Sequence, residues 1–187
     1  FFNRSALDVF EIDFGRLDTN GAKNIRKLAK ATFVKWQLVS RRFAIKDPRA
    51  ARLMPFWGAL FEEVEISYRC VVAHRHPSSV VRSMVKLYDM PEVNIYYLWL
   101  IHMVESFLAA GVGGVAVSYE YMVEQPAITM EALQINLGIY GESVEVENFC
   151  SSFIDGKLQR NGDDAFAGKI PGLICELNDL ISRKFVN

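Results

Sequence analysis

Cysteine is scarce in this chain. Three residues, Cys70, Cys150 and Cys175, are spread through 187 positions, with no Cys-x-x-Cys pair. An odd number at wide spacing excludes a disulfide framework and a thiolate zinc site, and it points to a reducing compartment. Cys70 lies in the apolar run Tyr68 to Ala73, where a buried thiol is expected. Charge of one sign is also lacking. Lysine and arginine number 21 against 22 acidic residues, so no global basic field attracts nucleic acid. Internal repeats, low-complexity tracts and interdomain linkers are absent. There is no basic segment leading into an apolar run at the N-terminus, as a secretory signal would need. The most lipid-like stretch, Val93 to Ala110, carries Asn94, His102 and Glu105 and reads as a buried helix of a soluble protein. No membrane span and a cytoplasmic location are expected. Hydrophobic residues make up 51% of the chain, enough for a single domain over residues 1–187 with a proper core.

Apolar periodicity predicts a helix over 22–40, with lysines and Arg26 opposite the apolar face. A short strand over 42–46 ends at Asp47-Pro48, and a helix follows over 49–64. The apolar run 68–73 reads as a strand buried on both faces. Pro77 opens another helix, with Ser78 or Ser79 as its cap. Pro91 starts a long helix to about Ala110, which the glycines at 111, 113 and 114 stop before a strand over 114–119. Helices over 126–140, 144–153 and 171–184, with a polar loop at 155–164, complete the chain. Trp36, Trp57 and Trp99 are expected in the core, and His102 reads as a core or surface histidine. Strands alternating with helices imply an α/β fold, a mainly parallel sheet covered on both faces. Ligands bind such sheets beyond the carboxyl ends of the strands.

Three segments end strands in this way. At the second, Arg75 follows the apolar strand and Ser83 comes eight positions later on the next helix. A strand-end guanidinium and a helical hydroxyl can converge on one anion, near the partial positive charge of the helix N-terminus. The same residues also fit an ordinary turn with surface charge. At the first, Lys46 could face a phosphate or sulfate, or the segment is a capped helix start with Asp47 at the cap and Arg49 solvated. At the third, Tyr119 suits a ring contact or a half-buried core position. Their shared sheet edge joins the three.

Ile45-Lys46-Asp47-Pro48-Arg49, then Val71 to Ser83 with Arg75-His76-Pro77, then Val117-Ser118-Tyr119-Glu120-Tyr121-Met122 with Gln125-Pro126, resemble the sulfotransferase family in order and spacing, over roughly 42–140. The style is closest to bacterial members with Lys-Asp-Pro-Arg and Arg-His-Pro runs. The resemblance implies a three-layer α/β/α domain of P-loop-NTPase-like topology. It implies an enzyme that moves a sulfuryl group from 3′-phosphoadenosine 5′-phosphosulfate (PAPS) to a hydroxyl or amine, on a small-molecule or carbohydrate acceptor, leaving 3′-phosphoadenosine 5′-phosphate (PAP) and needing no metal. By position, Arg75 and Ser83 match the pair on the 3′-phosphate, Tyr119 the adenine contact, and Lys46 the cation at the transferred group. Arg160 and Gly162 fall where the family's later basic loop also holds the 3′-phosphate. The family's first strand, Gly-rich phosphosulfate loop and helix have no counterpart here: Arg4-Ser5 runs into Ala6-Leu7-Asp8. The expectation is a domain lacking or missing that unit of about 30 residues, and the start without Met agrees. Pro48 stands where many members have a catalytic histidine, and Glu11 and Asp13 are upstream carboxylates that could serve as base. A sulfotransferase-like module that binds without transfer, and a nucleotide or small-molecule kinase, are the other readings.

Overall fold

Thr19 starts the first long helix. Its hydroxyl accepts from the Ala22 amide at 3.4 Å, satisfying one of the donors a helix leaves open at its start. The computed structural model describes residue 7 and residues 12–154 and 170–185. Over these the protein is mixed α/β and mostly helical, with a small parallel sheet. It divides into two compact units, Phe1–Tyr68 and Arg69–Asn187.

The first unit is helical. A 3₁₀ turn (Phe14–Asp18) leads into α1 (Asn20–Val39), and a second 3₁₀ turn (Ala51–Leu53) into α2 (Met54–Glu63). Pro55, in the first turn of α2, lacks an amide hydrogen, so the expected continuous helix over 49–64 breaks into these two pieces. α2 ends on Glu65 in the left-handed region (φ 55°). The Ile66 amide then donates back to the Phe61 carbonyl at 2.9 Å, the closing bond of a Schellman cap. Phe33 centres the core, with its ring centroid 5.2 Å from Phe61, 6.0 Å from Trp57 and 6.0 Å from Phe43. Phe56, Leu60 and Val64 bury beside it. Trp36, expected in the core, stays exposed and lays its edge on Phe33 and Phe43.

The strand expected over 42–46 does not form. Phe43 is drawn onto Phe33 and Trp36, and the Ser40 hydroxyl bonds both the carbonyl and the amide of Arg42. The segment is thus fixed by its aromatic anchor and a local turn, which compete with a ladder for the same backbone groups.

The second unit carries the sheet. β1 (Val71–His74) pairs in parallel with β2 (Val115–Ser118), in the register Val71↔Val115 to His74↔Ser118. The crossover runs through α3 (Pro77–Tyr88) and α4 (Glu92–Ala110), as parallel pairing requires. Then follow α5 (Tyr119–Glu124), α6 (Pro126–Leu137), α7 (Ser143–Asn148), a π-turn over Phe149–Phe153, and α8 (Gly172–Phe185). The β1 strand was expected to be buried on both faces. Instead burial alternates: Val72 and His74 are inside, Val71 and Ala73 outside. This is the period of a half-covered strand. Among the described residues the sheet has two strands.

Val81 of α3, Ile95, Tyr96 and Trp99 of α4, and Ile174 and Ile181 of α8 form one buried cluster. Among the described residues α4 is the one helix long and apolar enough to cross a membrane. Gly114 lets β2 begin directly behind α4, since a Cβ there would lie 2.4 Å from the Ala110 Cβ. α6 stops before the expected Tyr140 because Gly138 turns left-handed (φ 64°) and its amide caps the helix. Cys70 is half-buried, and its thiol donates to the Ala109 carbonyl at 3.8 Å.

Phe33→Ala should cost about 3–5 kcal/mol, the range for emptying a buried aromatic site. Leu38→Ala, on a side chain 84% exposed, should stay within about 0.5 kcal/mol. Urea unfolding curves of the two variants check the contrast.

Candidate functional site

Parallel register brings the carboxyl ends of β1 and β2 side by side, with His74 opposite Ser118. The chain leaves β1 through Arg75 and His76 into α3, and leaves β2 through Tyr119 and Glu120 into α5. Tyr119, expected at the end of a strand, is in fact the first residue of α5, because the Ser118 hydroxyl accepts from the Tyr121 amide and caps the helix.

The peptide joining Arg75 to His76 is held at both ends. Its carbonyl accepts from the Trp99 indole N–H at 3.0 Å. Its amide donates to Glu120 Oε1 at 2.9 Å. The second carboxyl oxygen of Glu120 accepts from the Ser118 hydroxyl at 3.1 Å. Beyond this frame the Arg75 guanidinium lies over the Tyr119 ring, with Cζ 4.4 Å from the centroid. That is a close cation–π contact, drawn together by the ring quadrupole. Arg75 Nε is buried and has no hydrogen-bond partner among the described residues. A guanidinium held by a ring face spends none of its directional donors on the contact.

The start of α3 is closed by a residue other than the expected serines. His76 is the cap: its Nδ1 accepts from the Ser78 amide at 3.3 Å and lies 2.7 Å from the Ser78 hydroxyl. Arg82 reaches Ser79 Oγ at 3.4 Å. Ser83 is half-buried one turn further along the same helix face.

His74, 4% exposed, packs its ring edge-on against Trp99 at 5.9 Å. Burial holds its imidazole below the usual value, against a smaller upward pull from Glu120 and Asn178. Burial lowers His76 as well, with Glu120 and Asp179 opposing and Arg82 adding to the effect.

Of the residues singled out in the sequence, Arg75 and Tyr119 come together, and Ser83 lies on the helix that Arg75 leads into. Lys46 is an exposed residue of the first unit. Beside it, Asp47 accepts from the Arg49 amide at 2.9 Å and pairs with the Arg49 guanidinium, Nη2 to Oδ2 at 2.9 Å. Arg49 is exposed to solvent, as expected, and is paired with Asp47 as well. The hydrogen bond from Arg49 is the main reason the Asp47 carboxyl titrates below its usual range. Asp13, a candidate base, accepts from the Gly15 amide at 3.0 Å as a turn cap. Arg160, Gly162 and Glu11 lie outside the described residues.

Sequence reasoning gave no site role to Trp99 or Glu120. The signals were present: an indole on an apolar helix needs a partner for its N–H, and a glutamate directly after a strand end stands near unpaired amides.

No protein-family model matches the chain, and neither a curated protein nor a solved structure does.

Burial lowers the pKa of both imidazoles in the fold, whereas in the unfolded chain they take up protons below about pH 6.5. The unfolded state then binds more protons, so stability falls as pH is lowered. Melting temperatures should drop between about pH 7.5 and 5.5, and His74→Gln should flatten the slope. A melting point that holds or rises on acidification would contradict the assignment.

Proposed function

We propose that the chain is a PAPS-dependent sulfotransferase with the three-layer, P-loop-NTPase-like α/β architecture, moving a sulfuryl group to a hydroxyl or amine acceptor. One observation carries the reading. At the carboxyl edge of a parallel strand pair, an arginine whose buried Nε has no partner among the described residues is stacked on the tyrosine that follows the neighbouring strand. Open α/β sheets bind ligands at that edge. The donor set suits a nucleotide with a terminal phosphate. Arg75 offers a planar fork for phosphate oxygens, Ser83 a hydroxyl on the adjoining helix, and Tyr119 an aromatic ring with a phenol.

PAPS, when bound, supplies an activated sulfuryl group whose displacement is in line and charge-dispersed, as in phosphoryl transfer. The chain's part is then to bind and orient. Arg75 and Ser83 fix the 3′-phosphate, and Tyr119 fixes the adenine. By the resemblance alone, Lys46 is given the role of cation toward the developing negative charge.

PAP should raise the melting temperature through ordinary linkage. 5′-AMP, which lacks the 3′-phosphate, should bind about tenfold or more weakly, the worth of a charged hydrogen bond. Arg75→Ala should erase that preference, and equal binding of PAP and 5′-AMP by the unaltered chain would sink the reading. Lys46→Ala should lose sulfuryl transfer while keeping PAP binding. A chain that prefers PAP yet transfers nothing to any hydroxyl or amine acceptor would be a binding module.

A further inference from the structure

We infer that Glu120 is a positioning residue, which sets the aim of Arg75 by holding the backbone from which the guanidinium projects. The identity of the bound anion rests on the sulfotransferase reading; the positioning does not. Arginine has long, rotamer-rich reach, and ordering it costs conformational entropy at each binding event. A frame that fixes the main chain beneath the side chain removes part of that cost beforehand.

Glu120 is built for this. One oxygen accepts from the His76 amide, 44 positions away in sequence, and the other accepts from the Ser118 hydroxyl. Ser118 is itself fixed, buried as the last residue of β2 and bound to the Tyr121 amide. The carboxyl group therefore ties the exit of β1 to the exit of β2. Trp99 holds the opposite end of the same peptide. Losing those bonds would release the exit of β1 from the exit of β2, and with it the placement of the Arg75 backbone relative to Tyr119. Both Glu120 oxygens are engaged by the protein, which suits a residue that acts through Arg75.

Glutamine and alanine separate geometry from charge. Glu120→Gln keeps an acceptor for the His76 amide and can donate its amide to the Ser118 oxygen. Glu120→Ala removes both bonds. The first readout needs no ligand: the upfield ring-current shift that Tyr119 gives the Arg75 side-chain protons in NMR spectra, with Tyr119→Leu as the zero. The second is the ratio of PAP to 5′-AMP affinity by calorimetry. Glu120→Ala should bring the shift to the Tyr119→Leu level and lower the affinity ratio about tenfold. Glu120→Gln should keep the shift and hold the ratio within about threefold. Should the alanine variant fail to fold, Glu120→Asp, one methylene shorter, should show a reduced shift. An alanine or aspartate variant that keeps the full shift, or a glutamine variant that loses it, overturns the positioning role. If the unaltered chain shows no preference for PAP, the sulfotransferase reading falls alone, and the ring-current comparison still decides Glu120.

Discussion

One peptide group organises the carboxyl edge of the sheet. The plane between Arg75 and His76 has its carbonyl on Trp99 and its amide on Glu120. Buried main-chain groups must find partners. Here the partners come from α4 and α5, not from the strand's own ladder. The two bonds therefore satisfy the backbone and join three elements at once. Trp99 also packs on His74, so the same residues that bury the last side chain of β1 fix the first peptide beyond it. An ordered frame and a buried histidine with a lowered pKa follow from one packing arrangement.

Ser118 shows how little sequence this takes. Its hydroxyl donates to Glu120 and accepts from the Tyr121 amide. A hydroxyl can do both because it carries one donor and two acceptor lone pairs. The residue that ends β2 thus caps α5 and steadies the carboxyl group that reaches across to β1. At the start of α3 a histidine takes the capping part instead, through Nδ1. That bond requires the Nδ1 lone pair and so selects the uncharged ring, consistent with burial that disfavours protonation.

Local pattern made most helices legible. The apolar spacing of Ile25, Leu28, Ala29 and Phe33 placed α1 within two residues of Asn20–Val39, and the stretch from Pro91 to Ala110 gave α4 almost to its ends. Strands were harder, because a strand exists only where another lies beside it. The run 68–73 shifted to 71–74, its ladder starting where the Val115 amide meets the Cys70 carbonyl. The run 42–46 stayed irregular because Phe43 had a stronger claim on it from Phe33. The site divides along the same line. Arg75 and Tyr119 could be picked out as residues at strand ends. The roles of Trp99 and Glu120 depend on bonds spanning 24 and 44 positions, and no periodicity encodes those.

The frame grips Arg75 by its main chain alone. Neither Trp99 nor Glu120 bonds the side-chain nitrogens of residue 75. The position therefore behaves as a socket whose floor the scaffold fixes, while the side chain itself rests on the Tyr119 ring. A lysine there would present a compact charge in place of a planar fork. A glutamine would offer a neutral donor, and a glutamate would invert the sign of the edge. The side chain at residue 75 can thus change the charge of this edge without any change to the main-chain frame beneath it.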